Sequence, residues 1–189
     1  MFTLGKPSNE RCLHLRRLFQ DVPFSYPEVG ETRSTPPAGY TVDHNRVRLG
    51  SGEDLFHSAR AAVQRFEMLR LGWLEPWPES AIVAGTLVGT MARVAPGLWT
   101  VNPCRLVYVI DEPRRFGFAY GTLAGHVERG EERFLVELAD DGVWFDILAF
   151  SKPGRLITWL GFPVTRWFQR RFARDALAAM VRAVAPPRS

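Results

Sequence analysis

Between residues 81 and 151 the sequence sets out five strand-patterned runs separated only by turns, and no other feature restricts the fold so sharply. The runs are Ile82 to Val94, Trp99 to Ile110, Arg114 to Tyr120, Glu131 to Ala139 and Val143 to Ser151, with Pro96-Gly97, Asp111-Glu112-Pro113 and Asp140-Asp141-Gly142 at the turns. A short Asp-Gly connection between two β-rich runs is a strong hairpin signal, because these residues accept the backbone angles of a tight turn. Connections this short join antiparallel neighbours. Parallel strands need a crossover of a dozen residues or more, so an alternating βαβ series is excluded.

The flanks supply the helices. Tyr40 to Leu49 has strand character and ends at Gly50. Ser51-Gly52-Glu53-Asp54 fits a helix N-terminus with an acidic third residue, and Leu55, Phe56, Ala59, Val63, Phe66 and Leu69 recur at helical spacing. This predicts a helix over Glu53 to Arg70. Gly72 to Ser80, with Trp73, Pro76, Trp77 and Pro78, reads as a loop whose tryptophans either pack or cover a cavity mouth. After Lys152-Pro153-Gly154 a helical pattern runs to about Val184: Leu160, Val164, Phe168, Phe172, Ala176, Met180 and Val184 lie four apart, reinforced by Trp167, Leu177 and Val181. Pro163 suits the start of its main part, and Pro186-Pro187 ends it.

The resulting order predicts an α+β, helix-grip architecture, a curved antiparallel sheet wrapped around a long C-terminal helix with a space between them. A plain sandwich with a filled core is the alternative. The domain is read as 40–185. Residues 1–39, with a short helical pattern at Glu10 to Phe19 and then a proline- and glycine-punctuated stretch, are read as an extension packed on it.

Composition excludes several classes. With 46% hydrophobic and 23% charged residues among 189, the chain matches one globular domain rather than a disordered or fibrous one. Cys12 and Cys104 cannot form a disulfide framework and have no metal-ligand spacing, and His14, His44 and His57 make no HxH or HExxH, so no metal or cofactor is expected. The N-terminus lacks the apolar core of a signal peptide, and a cytoplasmic protein is expected. Charge is uneven: from Lys152 onward eight basic residues face one acid, Asp175.

The chemistry concentrates in Tyr120 to Phe134, YGTLAGHVERGEERF. Phe116, Phe118 and Tyr120 share one face of a strand, and Glu132, Phe134, Val136 and Leu138 share one face of the next, which brings a carboxylate into line with apolar side chains. A carboxyl so placed has its pKa raised by desolvation unless a cation pairs it, the making of a general acid or base. His126, between the two strands, could join Tyr120 and Glu132 at a ligand's polar head, or simply hydrogen-bond the loop. One of Trp144 and Phe145 adds to the aromatic wall; both faces of that strand are apolar, so the pattern does not choose.

The blocks NPCRLVYVIDEPRRFGFAYGTL, YGTLAGHVERGEERF and VWFDILAFSKP, with FSYPEVGETR, PPAGY and RLGSGEDLFHSARAAVQRFEML upstream, resemble the uncharacterised domain-of-unknown-function family nineteen-ninety over nearly the whole chain. The resemblance implies a Bet v 1-like, START-like helix-grip fold, in a superfamily of lipid carriers, hormone receptors and cyclases, and it implies no particular activity.

Three functions are therefore expected in order. The first is binding of a small, largely apolar ligand between the sheet and the C-terminal helix, with Phe116, Phe118 and Phe134 as walls and Tyr120, His126 and Glu132 at the polar end. The second is a cyclase- or isomerase-type enzyme using Glu132 and His126 as acid and base. The third is a non-catalytic interaction protein using the basic face around Arg170, Arg171 and Arg174 or the tryptophan loop. The arginines beside Trp167 and Phe168 fit a template for either nucleic acid or an anionic membrane, and the apolar stripe, which the sheet needs to complete its core, argues against both; no nucleic-acid partner is expected, and peripheral membrane contact through that helix stays open.

Overall fold

A computed structural model describes residues 1–78, 81–126, 128–153 and 161–185. Among these, eight strands form one antiparallel sheet. They are β1 (Phe2–Leu4), β2 (Thr41–Gly50), β3 (Leu74–Pro76), β4 (Leu87–Ala95), β5 (Leu98–Glu112), β6 (Arg115–Thr122), β7 (Glu128–Ala139) and β8 (Gly142–Pro153). The order across the sheet is β2-β8-β7-β6-β5-β4-β3, with β1 paired to the start of β5. Helices α1 (Asn9–Leu18), α2 (Glu53–Gln64) and α3 (Phe162–Val184) complete the fold. The four hairpins β4 to β8 follow the five sequence runs, and β2 reaches back to close the far edge against β8. The concave face grips α2 and α3, as the helix-grip expectation requires.

The core lies on that concave face. Alternation places Phe116 and Phe118 of β6, Phe134 and Val136 of β7, and Val143, Phe145 and Ile147 of β8 inward, where they meet Phe56, Ala59 and Val63 of α2 and Ala176 and Met180 of α3. Phe145 is the inward member of its pair, and Trp144 instead stacks under Arg46 on the convex face. A second cluster lies beneath α1, where Cys12 and Leu15 pack on Trp77, Met91, Trp99 and Val101.

Four expectations need correction. The helix from Glu53 stops at Gln64 rather than Arg70: Phe66 takes φ 56, and a short 3-10 turn, Glu67–Leu69, follows. That left-handed residue reverses the chain and drives its ring edge-on against Phe118, 5.4 Å between centroids. The strand expected from Ile82 begins at Leu87. The tryptophan loop contains β3, which pairs with Thr90 to Ala92 and buries both Trp73 and Trp77. On α3, Val164 and Trp167 are 60% and 56% exposed rather than part of the buried stripe. Residues four apart drift about 40° per step around a helix, so a stripe centred on Phe172 and Ala176 has rotated out of the core by Val164. Leu160 and Pro186-Pro187 lie outside the described residues.

The first 39 residues cover the convex face and one sheet end. Tyr26 and Thr32 are buried there, and the Glu131 carboxylate, 2% exposed, takes hydrogen bonds from Tyr26 Oη (2.7 Å), the Gly30 amide (2.7 Å), the Thr32 amide (3.0 Å) and the Thr32 hydroxyl. Gly121 is required where Tyr26 crosses β6, because a Cβ there would stand 2.1 Å from the tyrosine oxygen.

Candidate functional site

Strand register decides which polar groups meet. One rung across the sheet reads Leu106, Tyr120, Glu132, Ala149, Asp43 on β5, β6, β7, β8 and β2. The next reads Phe118, Phe134, Ile147, Asn45. The concave face therefore changes from an aromatic layer to a polar one within a single step of two residues. Tyr120 and Glu132 are directly opposite, and the tyrosine hydroxyl donates to Glu132 Oε2 at 2.6 Å. Ala149, beside Glu132, contributes only a methyl group, so little side chain separates Glu132 from Asp43.

The first turns of α3 close this polar end. Arg166 donates from both terminal nitrogens to Asp43, at 2.5 and 2.8 Å, and also to Gln169 Oε1 at 2.6 Å. Gln169 Nε2 in turn donates to Glu128 Oε1 at 2.5 Å and to Ser151 Oγ at 3.1 Å. A continuous chain of charge-assisted bonds, Asp43 to Arg166 to Gln169 to Glu128, thus ties the helix to β2, β7 and β8.

Tyr120 and Glu132 are half-buried, yet the protein crowds them enough that desolvation dominates their ionisation. That combination describes groups lining a recess rather than groups packed in a core. Desolvation pushes the Glu132 carboxyl up to about 7, with the Tyr120 bond opposing and the charges of Glu128 and Asp43 reinforcing the rise. Glu128 is likewise pushed up to about 7 by desolvation, against the pull of Arg166. Burial and the neighbouring Glu132 charge hold the Tyr120 phenol well above its ordinary value, so it remains a donor. Near neutrality this polar end therefore offers one phenol donor, Tyr120, and two carboxyls of raised pKa, Glu128 and Glu132, each able to give or accept a hydrogen bond.

His126 stands apart. Its Nδ1 lies 3.0 Å from the Glu128 amide nitrogen and 3.1 Å from the Glu128 carbonyl oxygen, and burial lowers its pKa to about 4. It is a neutral ring bound to the backbone of its own loop, and among the described residues no hydrogen bond joins it to Tyr120 or Glu132. Cys104, buried beside Tyr120 in the wall of a small cavity, has its thiol raised by burial, so it stays protonated and is a poor nucleophile. Among the described residues no His, Cys, Asp and Glu side chains are grouped to hold a metal ion.

The apolar side is closely packed. Phe116, Phe118 and Phe134 are 3%, 0% and 0% exposed; Phe118 packs against Phe66 and Phe134, and Phe134 against Phe145 and Phe172. The cavity bounded by Phe66, Leu69, Val88, Thr90, Cys104 and Tyr120 measures ≈ 10 Å³, room for about one water molecule. The sequence pattern does not mark Asp43, Arg166 and Gln169 as members of this polar end. Asp43 belongs to the inward face of β2, Asp43-x-Asn45-x-Val47-x-Leu49, and an acidic inward position there was the available signal. Gln169 and Arg166 carried none, since their inward reach depends on how α3 sits on the sheet.

A family model described as "Domain of unknown function (DUF1990)" matches residues 25–179. The chain belongs to this family. Within it, the chain is 34% identical over 196 residues to a UPF0548 protein of Deinococcus radiodurans, covering 97% of this chain and 98% of that one. It is 34% identical over 161 residues to a UPF0548 protein of Dictyostelium discoideum, covering 78% and 74%. Among solved structures, hypothetical protein jhp0584 from Helicobacter pylori superposes with a TM-score of 0.55 at 8% identity, covering 86% of this chain and 96% of that one. That likeness is one of fold.

Proposed function

We propose that this protein binds a small molecule with a compact apolar body and a polar head, the head held by Tyr120, Glu132 and Glu128 and the body directed along Phe66, Leu69, Val88 and Cys104. The observation that carries this is the Tyr120–Glu132 pair, accessible yet desolvated, on the rung where the aromatic layer of the concave face ends. A structural carboxyl would be satisfied and paired, as Glu131 is on the opposite face. Among the described residues Glu132 takes a single neutral donor, and its pKa is raised. Because the free cavity is water-sized, binding requires Phe66 and Leu69, at the end of α2, to move aside. The aromatic layer of Phe116, Phe118 and Phe134 then acts as the floor beneath the ligand.

Native mass spectrometry of protein purified without organic solvent tests this. A bound small molecule should appear as a discrete mass increment, reduced in Glu132→Ala and in Val88→Trp, which fills the cavity. An increment that is equal in all three proteins would refute the assigned site.

An acid–base reaction at the same place is favoured by one observation, two carboxyls that both titrate near neutrality. Glu128, rather than His126, is then the partner of Glu132.

A further inference from the structure

We propose that the outward face of α3 is a membrane-docking surface that takes an anionic lipid bilayer. The surface is one stripe, Val164, Trp167, Arg170, Arg174, Val181 and Arg182, all exposed and spanning roughly a third of the helix circumference. An ordinary solvated helix face mixes acids with bases at three- and four-residue spacing. This helix carries five arginines and a single acid, Asp175. That acid is turned toward the body of the protein, where it accepts from the Trp73 indole at 2.9 Å and neutralises Arg174 and Arg171. Among the described residues, Arg170 and Arg182 have no carboxylate within ion-pair distance.

The apolar members of the stripe decide the kind of partner. Trp167 stands edge-on to Phe168, 4.9 Å between centroids, and the Arg171 guanidinium lies between the rings of Trp73 and Trp167, at 4.5 and 5.4 Å. The exposed indole is thereby held in place, which lowers the entropy lost on docking. An indole flanked by a valine and by arginines suits the level of lipid headgroups: the ring and Val164 enter the acyl boundary while the guanidinium groups meet phosphates and carboxylates. A nucleic acid would satisfy the arginines but leave Val164 and Val181 against water or phosphate. The inference does not depend on the ligand-binding reading, although Arg166 and Gln169 on the same turns reach the polar recess.

Flotation with phosphatidylcholine vesicles, with and without phosphatidylserine, tests it, using the full chain. Binding should require phosphatidylserine and weaken at high salt. Arg170→Gln combined with Arg182→Gln should weaken it by about 30-fold, two interfacial charges being removed. Trp167→Ala should weaken it several-fold with the charge unchanged. All three positions are exposed, so the thermal melt should stay the same and serves as the folding control. The proposal is overturned if the arginine double variant floats as well as the parent, if plain phosphatidylcholine is bound equally, or if duplex nucleic acid is captured while vesicles are not.

Discussion

At the scale of single residues, β7 carries two neighbouring carboxylates, Glu131 buried and Glu132 half-buried, with opposite fates. Glu131 faces the convex side and is met by four donors from residues 26–32, whereas Glu132 faces the concave side and, among the described residues, meets only Tyr120. The alternation of a strand forces this division, and the number of donors decides which group is structural. A carboxyl whose folded pKa is raised stabilises the fold, relative to one left unshifted, below its unfolded value of about 4.5, and that contribution is lost as pH rises through about 7. Glu132→Gln should therefore raise the melting temperature above pH 7 and change it little near pH 4, as measured by thermal denaturation across that range. An equal effect at both ends would mean that Glu132 titrates normally.

At the scale of elements, residues 20–39 behave as a strap whose buckle is Glu131. Tyr26, Gly30 and Thr32 are anchored on it, Thr32 shares a 2.7 Å hydroxyl contact with Tyr108, and Arg133 reaches the Thr32 carbonyl at 2.9 Å. Glu131→Ala strands several buried donors and should cost about 3–5 kcal/mol in chemical denaturation. The strap should also become sensitive to limited proteolysis, while Glu137→Ala, at a partly exposed ion pair, should cost under about 1 kcal/mol. Much of this level was legible in the sequence: the five strands, the first shorter than its run, and the inward faces of β6 and β7 follow from period-two alternation, and the turns from their proline, glycine and aspartate residues. The end of α2 was not, because Phe66, Met68 and Leu69 continue the helical hydrophobic spacing while the backbone leaves the helix at Arg65 and Phe66. Tertiary packing against Phe118 outweighs that local pattern. Nor was β3, whose three residues, one of them Pro76, lie between Trp73 and Trp77 and pair along the edge of β4.

At the scale of the whole molecule, the question is whether the concave face is a container or a core. The alternating aromatics of β6 and β7 have the same pattern in either case, since a phenylalanine lining a cavity and one filling it occupy the same strand position. The difference lies in what α2, its 3-10 extension and α3 insert between the rings, and Phe66, Phe172 and Met180 close most of that space. What stays accessible is the polar rung, where Tyr120, Glu132 and Asp43 follow the aromatic layer and Ala149 leaves room. The central claim is that ligands enter there. The direct test is an amide and methyl chemical-shift titration with three probes of the same apolar body, hexan-1-ol, hexylamine and hexanoate. Saturable shifts should gather at Val88, Cys104, Tyr120 and Glu132, with hexanoate weakest because it faces carboxylates and hexylamine gaining as pH rises through about 7 and Glu132 ionises. Absent or unsaturable shifts, or shifts gathered elsewhere on the surface, would contradict it.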